Sequence, residues 1–356
     1  MFLSAILEID PSQITHIKRI NNDNALFKLY DILTANVVNK SFEHETFTVV
    51  SILNQIQMGL MRLGVDNVIR INVDSYDYFY DTEGVENDLF DAFHSIEQKI
   101  EPLESKLFNS LELVLEHSEK GIKYLIDIKI NRKHKVGEYP INIKINGSFD
   151  DLRLERNEDI SIVEDKLNEI FSSQDSYERY VKERKLKFQY FVNEFEQTLS
   201  KFIKVDGIKL QFHDKIVRPK VLIQGRREIR ENGNTEPFFH GFPGISECLT
   251  YTLYWGKICS ENNIWVKEFT LCDDFGKDIF AIGAEGFNSG SVDILRPQTK
   301  FKIPKLDNLI IYKDHDFMLE LNEDQIIIDN DKDLEDSVLT NYISLNLEID
   351  DEDIYQ

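Results

Sequence analysis

Between Leu111 and Ile145 apolar residues recur at every second position in three separate runs. These are Leu111, Leu113 and Leu115, then Tyr124, Ile126, Ile128 and Ile130, then Ile141, Ile143 and Ile145. A period of two belongs to a strand that is apolar on one face and polar on the other, so this stretch must fold as sheet and cover one side of it. The segment His117-Ser-Glu-Lys-Gly121 and a basic loop holding Arg132, Lys133 and Lys135 separate the runs. The pattern predicts an antiparallel three-stranded meander.

Helical periodicity flanks it. Val49, Ile52, Leu53, Ile56, Leu60 and Leu63 fall on one helical stripe that Gly64 is placed to end. Val65 to Val73 reads as a strand, and Val85, Leu89, Phe93, Ile96 and Ile100 form a second stripe up to Pro102. Val163, Leu167 and Ile170 make a short helical stripe, followed by Val181, Phe188, Phe191, Phe195, Leu199 and Phe202 on one face of a helix from about Ser176 to Lys204. Without a sustained heptad around it, such a helix is expected to brace two lobes, with its Phe residues buried between them. From Gly207 onward, short strands are expected over 208–212, 216–223, 264–271, 278–282, 309–312 and 325–328, with one helix near 245–260. Ile343, Leu345, Leu347 and Ile349 alternate as a further strand. The predicted fold is α+β in two lobes: an N-terminal α+β domain (1–155), a helical connector (156–206), and a strand-rich C-terminal domain (207–356). The 356 residues, with 24 Phe and 14 Tyr, suffice for a sizeable core and exclude disordered or fibrous classes.

Net charge is −23, and its distribution is uneven. From His315 to Gln356 there are fourteen acids against the single Lys332, which leaves −10 for the first 314 residues. Such an end repels phosphate polymers and attracts basic partners over a salt-dependent range. Asp350, Asp351, Glu352 and Asp353 form the expected acidic docking face. Met1 to Asp10 is apolar for seven residues without a basic leader and reads as a first strand, not a signal peptide. No run approaches the roughly 18 apolar residues of a membrane helix, so no membrane partner is expected. Cys248, Cys259 and Cys272 lack a C-x-x-C spacing, which fits reduced thiols in the cytoplasm.

Catalytic patterns are incomplete. Gly244-Ile-Ser246-Glu-Cys248 lacks the last glycine of a nucleophile elbow and the strand before it, and Ser246 is better explained as a helix N-cap. No two of the eight histidines sit at i,i+4, so no zinc motif is visible. Asp329-Asn-Asp331-Lys-Asp333 opens like a calcium loop, but Leu334 and Thr340 occupy the positions that need Gly and Glu. Asp127-Ile-Lys129 places an acid and a lysine on one strand face, as metal-dependent nucleases do, with Asp74 as the upstream candidate acid and no second acid beside Asp127. An ordinary solvated sheet face, continued by Asn142 and Lys144, is the plainer explanation. No cofactor or metal is expected.

Two basic islands interrupt the acid. One is the loop with Arg132, Lys133 and Lys135, and the other spans 213–230 with Lys215, Arg218, Lys220, Arg226, Arg227 and Arg230. Arginine forks suit phosphate, although no aromatic residues interleave the second island to stack bases. The leading expectation is a non-enzymatic cytoplasmic interaction protein, of immunity, inhibitor or accessory-subunit type, that docks a basic protein partner. The second is a nucleic-acid-associated factor using the islands, and the third an enzyme whose site is built of scattered residues.

Overall fold

The computed structural model describes residues 1–12, 40–74, 76–81, 85–95, 108–133, 137–149, 160–217, 261–272, 278–289 and 310–311. The chain forms two compact units, each assembled from separated stretches. One unit comprises Leu3–Phe149 with Glu183–His213, and the other Met1–Phe2, Asp150–Lys182 and Asp214–Gln356.

In the first unit the meander is part of a larger sheet. Its strands are β1 (Phe2–Pro11), β2 (Asn67–Val73), β3 (Tyr76–Tyr80), β4 (Ser110–Glu119), β5 (Ile122–Asn131), β6 (Ile141–Phe149) and the start of β7 (Val205–Val217). They lie in the order β7-β1-β6-β5-β4-β2-β3. The pairs β1–β6, β6–β5, β5–β4, β4–β2 and β2–β3 are all antiparallel. Ser12 N–H donates to Lys204 O, while Glu8 faces Lys209 further along, so β1 and β7 also run in opposite directions. Lys120 and Gly121, both at positive φ, close the tight β4–β5 hairpin, matching the twist of the strands they join.

One face of this sheet is apolar across its five inner strands. The register aligns Leu7, Ile143, Ile128, Leu113 and Ile71 in one row across five strands, and every member is buried. Two helices of the same unit supply further apolar stripes: α1 (Lys40–Leu63), which touches β5, and the second part of the long helix Gln174–Phe202. Phe191 stacks on Tyr124 at 4.0 Å and on His117 at 5.4 Å, and Phe188 stacks on Tyr124 at 6.0 Å. Gly147 makes the approach of Phe188 possible, since a Cβ there would lie 2.8 Å from its ring. Gly59 does the same between α1 and Leu199, where an added Cβ would meet Cδ2 at 2.7 Å.

The second unit contains the end of β7, β8 (Trp265–Val266), β9 (Phe269–Cys272), β10 (Asp278–Ile282), β11 (Phe287–Asn288) and β12 (Ile310–Ile311). The order is β12-β10-β9-β7, with β7 and β9 parallel, and β8 pairs with β11. Its helices are α3 (Ile160–Ile170) and the first turns of the long helix, numbered α4 after the short α2 (Leu89–Ser95) of the other unit. The Gln174 side chain both donates to Trp265 O (3.1 Å) and accepts Trp265 N–H (2.8 Å), tying β8 to the start of α4.

These observations correct the expected α+β fold with a three-stranded meander and a bracing helix. Among the described residues strand outweighs helix, four helices are present, and the strands form large sheet orders with both antiparallel and parallel pairs. The reason is that strand partners are chosen non-locally. The N-terminal strand inserts beside β6, some 135 residues away, which local periodicity does not reveal. Likewise Phe188, Phe191 and Phe195 are buried on the apolar face of their own unit's sheet, and Phe202 is half-buried. The separate strands expected over 208–212 and 216–223 are one continuous strand as far as Val217, and that over 264–271 breaks in two at Lys267-Glu268. Val85 lies outside α2 and is exposed. The helix near 245–260 and the strands over 325–328 and 343–349 lie outside the described residues.

Candidate functional site

The opposite face of the first unit's sheet is polar and closely charged. Asn72, Glu112, Lys129, Asn142 and Glu8 form one row across it, and Arg70, Val114, Asp127, Lys144 and Ile6 form the next. Glu112 therefore opposes Lys129, and Asp127 opposes Lys144, while Lys123 pairs with Glu116. The expectation that Asp127 has no acid beside it is corrected, because Glu112 is its diagonal neighbour across the hairpin and shares a hydrogen bond with it. Burial first, and then the Glu112 charge, push the Asp127 carboxyl up to about 7, against the pull of Lys144 and Lys129.

Among the described residues no three metal-ligating side chains converge. Asp74, the candidate upstream acid, is taken up elsewhere, its carboxylate accepting the N–H groups of Asn109 and Ser110 at 3.0 Å. Alternating cross-strand charges account for the face as an ion lattice, each opposite-charge pair contributing roughly 0.2–1 kcal/mol.

The structure places few of the basic residues singled out from sequence. Arg132 is buried, its Nε donating to Phe108 O and its guanidinium lying 5.6 Å from the Phe108 ring centroid. Lys133 is exposed. Lys215 is buried and bonded to Asp278 at 2.6 Å. Lys135, Arg218, Lys220, Arg226, Arg227 and Arg230 lie outside the described residues, as do Asp350, Asp351, Glu352 and Asp353, Ser246 and the Asp329–Asp333 loop. Cys272 is buried outside any disulfide, its Sγ–H donating to Ile216 O at 3.6 Å, and Cys248 and Cys259 lie outside the described residues. No described helix is long and apolar enough to cross a membrane.

A surface that sequence reading passed over stands at the end of the first unit's sheet. Among the described residues β3 pairs with β2 alone. The register skips Tyr78, the extra residue of a bulge, which turns its ring inward where it is buried. Tyr76 and Tyr80 are 42% and 38% exposed, and just beyond them Val85 and Phe90 are 49% and 70% exposed. The same eighteen residues, 74–91, carry seven acids and no Lys or Arg.

Part of that acid is used in building the edge. Asp77 pairs with the buried Arg70 of β2, and Asp88 Oδ1 accepts Val68 N–H at 2.7 Å, with burial raising its pKa. Asp81 Oδ2 accepts Val85 N–H at 2.9 Å. Glu86 and Asp91 point into solvent. The result is an acidic surface with exposed rings. The signal was legible as a local charge count, but only the pairing of β3 with β2 gives it meaning.

No family model matches the chain, and no curated protein or solved structure matches it either.

Proposed function

We propose that this protein acts by binding another protein, and that its partner is basic. The observation that carries the reading is the surface around β3, where exposed Tyr76, Tyr80 and Phe90 lie within a segment of seven acids and no base. Rings give contact area at low entropic cost, and Tyr is enriched at the centres of protein interfaces. Acid around the rings steers a basic partner to them and repels nucleic acid. The acidic run over 315–356 adds attraction of the same sign.

The test is affinity capture from the native host with three baits: the wild-type chain, Tyr76→Ala/Phe90→Ala, and Glu86→Gln/Asp91→Asn. The reading expects a captured protein of basic isoelectric point that both variants lose at least tenfold. A captured protein that is acidic, or retention by both variants, counts against it. Retention of duplex DNA or RNA by the wild type, lost when Arg226, Arg227 and Arg230 become Ala, replaces it with the nucleic-acid alternative.

A further inference from the structure

We propose that Glu112 and Asp127, with the amide oxygen of Asn146, form a site for one hard divalent cation of the Mg²⁺ class. It lies on the polar face of the first unit's sheet, across β4, β5 and β6. None of these residues belongs to the partner surface around β3.

The register sets a lysine opposite each acid, Lys129 opposite Glu112 and Lys144 opposite Asp127. The acids turn to each other instead. Their carboxyls share a hydrogen bond, Lys129 is exposed, and among the described residues neither acid forms an ion pair as Glu116 does with Lys123. Two carboxyls in contact cannot both carry charge unless something positive lies between them, and a proton or a metal ion serves. A third oxygen favours the metal ion. Asn146 is 4% exposed, and its Oδ1 is buried without a hydrogen-bond partner among the described residues, as is Asp127 Oδ1. Asn146 lies on the same sheet face, diagonal to Asp127 across β5 and β6 as Glu112 is across β4 and β5. Buried acceptors are normally satisfied, and a proton shared by the two acids leaves Asn146 Oδ1 unmet. One cation meets all three residues. Every donor is an oxygen, which selects a hard ion over zinc or copper. Two carboxylates are too few for a calcium cage, but Mg²⁺ is held by one or two while keeping several waters. Glu112 is half-buried, so water reaches that side. Glu112, and not Asp74, is then the acid that completes the Asp127-Ile-Lys129 spacing.

The probe is Mn²⁺, which shares the oxygen preference of Mg²⁺ and is paramagnetic, titrated on the full chain after removal of metal by chelator. Electron paramagnetic resonance counts the bound ions, and broadening of backbone amide signals locates them. The proposal expects one saturable site that Mg²⁺ competes for, with broadening centred on Glu112, Asp127 and Asn146. Glu112→Gln and Asn146→Ala should each bind at least tenfold more weakly. Glu116→Gln, on the same face but already paired with Lys123, should bind as the wild type does. Because the broadening is read on the wild-type chain, the result does not depend on a variant folding. Absence of saturable binding overturns the proposal, as does affinity unchanged in both Glu112→Gln and Asn146→Ala. Broadening centred on the acidic segment 315–356, with binding lost in Asp331→Ala, assigns the ion there and overturns it too.

Discussion

Asp127 sits between Glu112, its diagonal neighbour on β4, and Lys144, opposite it on β6, with one carboxyl oxygen buried and lacking a hydrogen-bond partner. Its folded pKa, lifted to about 7, lies above its unfolded value. The folded chain thus keeps a proton that the unfolded chain has released from about pH 4 upward, and stability falls as pH rises through that window to 7. Asp127→Asn retains the shape and stays neutral. It should exceed wild type in unfolding free energy at pH 8 by roughly 1–3 kcal/mol, with the gap narrowing at pH 5; denaturant titrations at the two pH values check this, and equal gaps contradict it. The Asp127–Lys129 spacing was readable from the sequence, but its neighbour Glu112 was not, because a residue fifteen positions away becomes adjacent only once the hairpin register is set. His117 shows the same limit. Its ring lies beneath Phe191, and burial lowers its pKa despite Glu119 and Asp66.

At the scale of elements, the alternation over 111–145 and the Phe stripe of α4 were both legible, since each depends on neighbours within a few residues. What each stripe covers was not. The face of β5 and β6 receives Phe188 because Gly147 leaves a gap in a row of otherwise large side chains. Gly147→Ala pushes a methyl into the Phe188 ring and against Ile122, and should cost roughly 1–3 kcal/mol in a chemical melt. Phe195→Ala, at a fully buried position, should cost roughly 3–5 kcal/mol, and an unmoved denaturation midpoint contradicts its place in the core. The strand β3 illustrates the converse. Acid and rings over 74–91 could be counted from sequence, yet which of the rings are exposed follows only from the pairing of β3 with β2, whose other side β4 takes.

For the whole molecule, the two units draw on interleaved stretches of chain, so the order of elements along the sequence is a poor guide to which of them share a core. The three cysteines are expected to be reduced throughout, and Cys272 is buried outside any disulfide. Alkylation of the denatured chain without reductant should count three thiols, and fewer contradicts this.

The charge of −23 is where the molecule's function is expected to show. If acid recruits the partner, its effect belongs to the encounter and shrinks as the Debye length falls from about 10 Å at 0.1 M salt to about 3 Å at 1 M. The most direct measurement is the stopped-flow association rate of the captured basic partner across that salt range, for the wild-type chain, Glu86→Gln/Asp91→Asn, and the neutralised Asp350, Asp351, Glu352 and Asp353. The account predicts a wild-type rate that falls at least tenfold with salt, and a lower rate with a flatter salt dependence for Glu86→Gln/Asp91→Asn, with dissociation changed less than association. A wild-type rate indifferent to salt, or one that neutralising the edge leaves untouched, contradicts it.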